Sequence, residues 1–179
     1  MSTSPRTILI TGGAGYIGSR LIRDLAADPA FADCTIRIYD NLHRETYITL
    51  VDLPYGAHFQ FIEGDILDNA GMRRALEGVT AVVHMAAIVR TPLSFGPTGW
   101  LEQVNHWGTA NLVDSAAAAG VRHLVYTGSA AVYGPINTGG SAFRENDACR
   151  PVGLYAESKL RAERRVLVAH EQRRLQTTV

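Results

Sequence analysis

"TILITGGAGYIGSRLIRDL", residues 7–25, runs from a β-branched stretch through three evenly spaced glycines into an apolar pattern of helical period. It reads as a strand over 7–11, a tight loop, and a helix over 16–28. Each glycine has a reason in such a corner: Gly12 permits the tight turn, Gly15 lets a pyrophosphate approach the backbone, and Gly18 lets the helix pack closely on a sheet. An anion held there meets free N–H groups and the positive end of the helix. The spacing is Gly-x-x-Gly-x-x-Gly rather than Gly-x-Gly-x-x-Gly, and a glycine triplet alone is weak evidence. The second strand strengthens the reading. Asp40 closes that strand-like run, 22 residues past Gly18, where a carboxylate can accept both ribose hydroxyls of an adenosine. That charge would repel a 2′-phosphate, so the expected cofactor is NAD rather than NADP, with Arg44 nearby as the residue that speaks for the phosphate. The plainer alternative is a structural corner with Asp40 as a cap or turn residue.

Working outward, strand-like runs at 35–40, 58–64, 81–87 and 123–129 alternate with helical segments at 69–78, 99–120 and 153–175. Alternation of this kind predicts a parallel sheet with helices on both faces, a Rossmann-like doubly wound α/β fold in three α/β/α layers. Continuous apolar strands such as 81–87 fit burial on both sides. "QTTV" at 176–179 reads as the opening of a sixth strand cut off after a few residues, an unfinished edge and an awkward natural terminus. Asp65, in "GDILD" (64–68), falls at the end of the third strand, within reach of an adenine amino group or simply serving a turn.

With 179 residues and 46% hydrophobic content the chain is one domain with a full core. Seventeen acids balance seventeen bases, so neither nucleic acid nor an anionic membrane is an expected partner. No apolar run approaches the roughly 20 residues needed to span a bilayer, and the N-terminus lacks a signal-peptide core. The expected location is the cytoplasm. Cys34 and Cys149 lie far apart without metal spacing and read as packing residues, so no metal site is expected.

The basic residues carry a second signal. Sixteen of seventeen are arginine and the other is Lys159, in "LYAESKL" (154–160). Tyr155 and Lys159 stand four apart on one helix face. A nearby ammonium and a positively charged nicotinamide would bring the phenol's pKa down from about 10 towards neutrality, making Tyr155 a general base towards a substrate hydroxyl. Lys159 would also hold the nicotinamide ribose, a role that suits a compact ammonium better than a guanidinium. Ser129, in "YTGSAAVYG", falls at the carboxyl edge of the sheet, where such folds place ligands. The alternatives are a surface pair for Tyr155 and Lys159 and a turn serine for Ser129. His84 reads as a hydrogen-bonded core histidine, and Asn105 as a residue that caps or packs within its helix.

Together these residues resemble the extended short-chain dehydrogenase/reductase family, and within it the NAD-dependent nucleotide-sugar epimerases and dehydratases. The resemblance rests on "TGGAGYIG" (11–18), "DNL" (40–42), "GDILD", "HMAA" (84–87), "NHWGTANLV" (105–113), "GSAAVYG" (128–134), Glu145 with Pro151, and "YAESKLRAE" (155–163), in family order over nearly the whole chain. It implies that Gly12, Gly15, Tyr16, Ile17 and Gly18 surround the pyrophosphate, Asp40 and Asn41 take the adenosine ribose, and Asp65 and Ile66 meet the adenine. Ala86, Ala87 and Asn105 would line the cofactor, with Tyr155 as acid/base, Lys159 on the ribose and Ser129 orienting a sugar hydroxyl. The implied reaction removes hydride from a sugar carbon such as C4 and returns it to the other face of the rotated keto sugar. The 4,6-dehydratases carry acids just after this serine, where Ala130 and Ala131 stand here, so the resemblance leans to UDP-glucose 4-epimerase-like members with a UDP-hexose substrate. "IVRTPLSFGPTGW" (88–100) departs from the family's Ser-rich substrate segment. Family members also continue for well over a hundred residues past the sixth strand. The expectation is therefore an NAD-binding domain over 1–179 without its C-terminal substrate-binding domain, a homodimer being left open. The alternatives are a non-catalytic NAD-binding module and an NAD(P)-linked reductase or dehydratase of the same superfamily.

Overall fold

Period-two burial and parallel pairing decide the architecture. The computed structural model describes residues 6–89, 98–135 and 142–179. Its strands are β1 (Arg6–Thr11), β2 (Cys34–Asp40), β3 (His58–Glu63), β4 (Ala81–His84), β5 (His123–Tyr126) and β6 (Gln176–Thr178). They form one parallel sheet in the order β3-β2-β1-β4-β5-β6. The order reverses between β1 and β4, so the loops leaving their carboxyl ends diverge and open a crevice, the place where such sheets take ligands.

Among the described residues five α-helices cover the sheet: α1 (Tyr16–Ala27), α2 (Asn69–Ala75), α3 (Thr98–Glu102), α4 (Thr109–Ala118) and α5 (Leu154–Glu171). Ile8 and Ile10 point to one face, where Ile36, Ile38 and the α1 residue Ile22 join them. Leu9, between them, points to the other face and packs with Met72, Leu112, Val82, Leu124 and Val166. Both layers of helix are present, but three of the major helices share the Leu9 face while α1 and short turns cover the other. Each fully buried aliphatic side chain contributes about 1.5–3 kcal/mol relative to exposure.

Several boundaries differ from the sequence expectation. The strand expected to reach residue 87 ends at His84, whose pairing with Thr11 is closed by the last ladder bond, Met85 N to Thr11 O at 3.1 Å, before the chain leaves the sheet. The strand expected to reach 129 ends at Tyr126. The helix expected over 99–120 is interrupted by a π-helical stretch, Gln103–Gly108. The last helix stops at Glu171 rather than 175, where Arg173 takes a left-handed φ of 55° and turns the chain into β6. Cys34 is buried, whereas Cys149 is exposed, so the second cysteine is not a packing residue. Among the described residues no helix is long and apolar enough to cross a membrane, and no cluster of three or more His, Cys, Asp or Glu could hold a metal ion.

Candidate functional site

A cleft of about 450 Å³ lies over the carboxyl ends of the central strands. Sheet order arranges its walls: Asp40, Asn41, Asp65 and Ile66 follow β2 and β3, the glycine loop follows β1, and Thr127, Tyr155 and Lys159 stand on the β5 side.

The loop between β1 and α1 is wound as tightly as its glycines allow. Gly12 has φ +70°, and a Cβ there would sit 2.7 Å from Ala86 N. At Gly18 a Cβ would collide with Gly12 O. Gly15 N donates back to Gly12 O at 3.1 Å, and Gly15 precedes α1 with no side chain capping the helix. The first-turn N–H groups of a helix have no intrahelical acceptor, so this uncapped end at the cleft suits an anion such as a pyrophosphate. Tyr16 and Ile17 line the same rim with their side chains largely in solvent, Tyr16 at 93% exposure.

Asp40 is held by both oxygens: Oδ2 accepts from Ala14 N at 3.0 Å and Oδ1 from Leu42 N at 2.9 Å. Those are the bonds of a turn residue, yet Asp40 also lines the cleft, so the structural and ligand-facing readings coexist. Asp65 is braced likewise, with Asn41 Nδ2 donating to Oδ2 at 3.0 Å and Leu67 N to Oδ1 at 2.9 Å. A carboxylate oxygen has two lone pairs, so each acid keeps acceptor capacity for hydroxyls or an amino group.

On the β5 side Lys159 is 4% exposed. Its Nζ donates to Thr127 O at 2.7 Å and lies 4.4 Å from the Tyr126 ring centroid. Burial pulls its ammonium down to about 8, and the nearby Glu163 carboxylate opposes that shift. Tyr155, one turn earlier on α5, lines the same cleft, and its hydroxyl has no hydrogen-bond partner among the described residues. Ala86 and Ala87 line the wall between the two ends. The cleft thus offers groups that could suit each part of a dinucleotide: an uncapped helix end, acids able to accept from hydroxyls or an amine, and a buried cation.

Two expected site residues stand elsewhere. Asn105 is 1% exposed and is not among the cleft-lining residues. Its Oδ1 accepts from Ile88 N at 2.7 Å, and its Nδ2 donates to Ile88 O and to Ser158 Oγ at 3.0 and 3.1 Å. Its side chain therefore staples the loop after β4 to α5, its polar atoms taken up by Ile88 and Ser158. Ser129 likewise falls outside the cleft lining. Its Oγ accepts from Ala131 N at 3.3 Å, capping the short turn Ala130–Tyr133, and its O–H remains to donate.

Beneath the cleft runs a chain of hydrogen bonds that the sequence did not single out. Thr109 Oγ1 donates to Asn105 O at 2.6 Å, so it accepts from His84 Nε2 at 2.8 Å. His84 Nδ1 then accepts from Thr11 Oγ1 at 2.6 Å, and Thr11 Oγ1 accepts from Met85 N and Ala86 N at 3.3 Å each. Burial, reinforced by the Lys159 charge, pulls the His84 pKa down to about 3, so the ring is neutral, as expected for a core histidine. The missed signal was the threonine content: Thr11 closes β1 and Thr109 follows Asn105 by one helical turn. Of the divergent segment 88–100, residues 90–97 lie outside the described residues, while Ile88, Val89 and Trp100 line the cleft.

Comparison with known proteins agrees with this geometry. The model of the NAD dependent epimerase/dehydratase family matches residues 8–179. A mouse dTDP-D-glucose 4,6-dehydratase is 33% identical over 161 residues, 88% of this chain and 44% of the mouse protein. Among solved structures, a dTDP-glucose 4,6-dehydratase from Streptomyces venezuelae with NAD and TYD bound superposes with a TM-score of 0.84 at 31% identity, covering 96% of this chain and 53% of that one. The UDP-Glc/GlcNAc 4-epimerase of Campylobacter jejuni gives a TM-score of 0.85 at 29% identity, covering 96% and 51%. The chain spans about half the length of the proteins it matches.

Proposed function

Because this chain belongs to the NAD dependent epimerase/dehydratase family, we propose that residues 1–179 are the NAD-binding Rossmann domain of a nucleotide-sugar epimerase, with the substrate-binding part of such an enzyme lying outside them. The observation that carries this reading is the convergence of the glycine loop, Asp40, Tyr155 and Lys159 on one cleft. Gly12, Gly15, Tyr16, Ile17 and Gly18 take the pyrophosphate at the start of α1. Asp40 and Asn41 take the adenosine ribose, Asp65 and Ile66 the adenine, and Ala86 and Ala87 form the wall between. NAD is favoured over NADP because the fixed Asp40 carboxylate repels a 2′-phosphate.

When bound, NAD supplies the acceptor and later the donor of a hydride at a sugar carbon such as C4. Tyr155 moves the proton of the sugar hydroxyl on that carbon. Lys159, its ammonium kept out of water and pulled down to about 8 by burial, would hold the nicotinamide ribose one helical turn from Tyr155. Ser129 donates from its free O–H to the same sugar oxygen. Ala130 and Ala131 have no titratable proton, which supports epimerisation over loss of water. A UDP-hexose is the substrate class, by analogy with UDP-Glc/GlcNAc 4-epimerase. A reducing, cytoplasmic location fits two free cysteines. Exposed Leu167 and Val168 on α5 offer an apolar contact for a homodimer.

The test places Tyr155→Phe in a protein that carries a complete substrate-binding part and supplies UDP-glucose. Turnover is expected to fall by roughly 10²- to 10⁴-fold, the usual contribution of a general acid/base, with NAD affinity essentially unchanged. Undiminished turnover would remove Tyr155 from the mechanism.

A further inference from the structure

Two successive carbonyls in the loop after β3 are each held by a side chain from a different element. The Tyr39 hydroxyl, from β2, donates to Asp65 O at 2.9 Å. Asn111 Nδ2, from α4, donates to Ile66 O at 2.7 Å. Asn111 is itself fixed, its Oδ1 accepting from Asn69 Nδ2 at 2.5 Å at the start of α2. The packing leaves little room for any other arrangement. Tyr39 is 1% exposed, and a Cβ on Gly64 would sit 2.5 Å from its hydroxyl. On the far side, a Cβ on Gly108 would sit 2.5 Å from Ile66 Cδ1, so the π-helical stretch brings bare backbone against that side chain. Burial pushes the Tyr39 phenol up to about 12, with the Asp68 and Asp65 charges adding to it, which keeps its proton available for donation.

We propose that Tyr39 and Asn111 are positioning residues for the adenine end of the cleft. By clamping Asp65 O and Ile66 O they aim the Asp65 carboxylate at the exocyclic amino group of the base, and so set a preference for a 6-amino over a 6-oxo purine. This rests on the NAD reading above. A loop joining a strand to a helix has no ladder to hold it along its length, and useful hydrogen bonds survive only within about 2.7–3.2 Å. A loop shift of a fraction of an ångström would therefore cost the amino-group contact while leaving the ribose and pyrophosphate contacts intact. Neither Tyr39 nor Asn111 needs to touch the ligand's amino group for this.

Calorimetric titration of NAD and of nicotinamide hypoxanthine dinucleotide, whose base carries a carbonyl in place of the amino group, tests the assignment. The wild-type chain is expected to bind NAD about tenfold more tightly than the analogue, a difference of about 1.4 kcal/mol. Tyr39→Phe and Asn111→Ala are each expected to weaken NAD about fivefold while changing the analogue less than twofold, so the preference shrinks. Asn111→Asp keeps the shape and the acceptor for Asn69 but faces Ile66 O with an oxygen, and should behave like Asn111→Ala. Thermal melts of each variant verify folding, and Tyr39→Phe, which removes one oxygen, keeps the test open if an Asn111 variant fails to fold. Variants that retain the preference, or that lose both dinucleotides in parallel, would overturn the assignment, as would a wild-type chain that binds both alike. A wild-type chain without affinity for NAD would overturn the functional reading as well.

Discussion

At the Asp40 end of the cleft every carboxylate oxygen is already met by an N–H of the chain, from Ala14, Leu42, Leu67 or Asn41. At the Tyr155 end a buried ammonium rests on one carbonyl and one aromatic ring, and the neighbouring phenol has no partner among the described residues. The first end is preorganised by three backbone amides, whose directions are fixed by the sheet and its turns, and by the Asn41 side chain, so it holds its shape at little further entropic cost. The second keeps a charge out of water, which lowers the Lys159 pKa to about 8. In the reading proposed above, recognition would rest on the rigid end and proton movement on the end that holds the buried Lys159 ammonium.

The most damaging change should strike the loop that joins the two ends. Gly12→Ala forces a side chain into the left-handed region and into Ala86 N, 2.7 Å away. NAD affinity should fall more than about 100-fold, the consequence of several kcal/mol of strain and displaced backbone. Calorimetry with NAD reads this directly, and near-normal binding would mean that the loop relaxes without consequence. Asp40→Asn should act next, and on one end alone. An amide cannot accept from both Ala14 N and Leu42 N, and it lacks the charge that strengthens bonds to ribose hydroxyls, so NAD should weaken by roughly 10- to 100-fold. NADP, freed from repulsion, should lose less. The NAD-to-NADP ratio of dissociation constants is the discriminating measurement, and an unchanged ratio would separate Asp40 from cofactor choice.

These two residues were legible because local chain order determines them. The glycines sit between a strand and the helix it feeds, and Asp40 ends the strand parallel to it, so spacing alone brings them to one edge. Tyr155 and Lys159 were legible for the same reason, through the turn of a single helix. Asn105 was not, because its role depends on tertiary partners, whereas the Ser129 bond to Ala131 N, two residues on, is the local turn that the sequence offered as its alternative. Asn105 spends its polar atoms on Ile88 and on Ser158, 17 and 53 residues away, and no local pattern announces such a partner. The same holds for the early ends of β4 and β5: the ladder between them closes with Thr127 N on His84 O at 3.2 Å, and the apolar run beyond His84 looks no different from the run before it. The π-helical stretch, which sets Gly108 against Ile66, is equally invisible to helical periodicity.

The smallest expected effect on the ligand, and the one that tests whether the two ends share a support, comes from His84. Its ring links Thr11, under the glycine loop, to Thr109 and so to Asn105, which holds Ser158 on the helix that carries Tyr155 and Lys159. His84→Gln is expected to cost about 1–3 kcal/mol of stability at neutral pH, the range for leaving buried groups unpaired. Acid should sharpen the contrast. The native ring resists protonation down to about 3, whereas an unfolded histidine takes a proton near 6.5. The unfolded state therefore binds the extra proton in that window, and His84's contribution is complete above 6.5 and is lost as pH falls towards 3. Urea unfolding of wild type and His84→Gln at neutral pH and at about pH 4 should show the wild type losing stability more steeply on acidification, with the gap between the two narrowing. A gap that stays constant would assign the acid sensitivity to other groups. Titration with NAD and with AMP adds the structural half of the test: a shared support weakens AMP modestly and NAD by a larger factor, because NAD loses at both ends, and an equal factor for the two would assign His84 to the Asp40 end alone. Loss confined to NAD would instead assign His84 to the Tyr155 end alone.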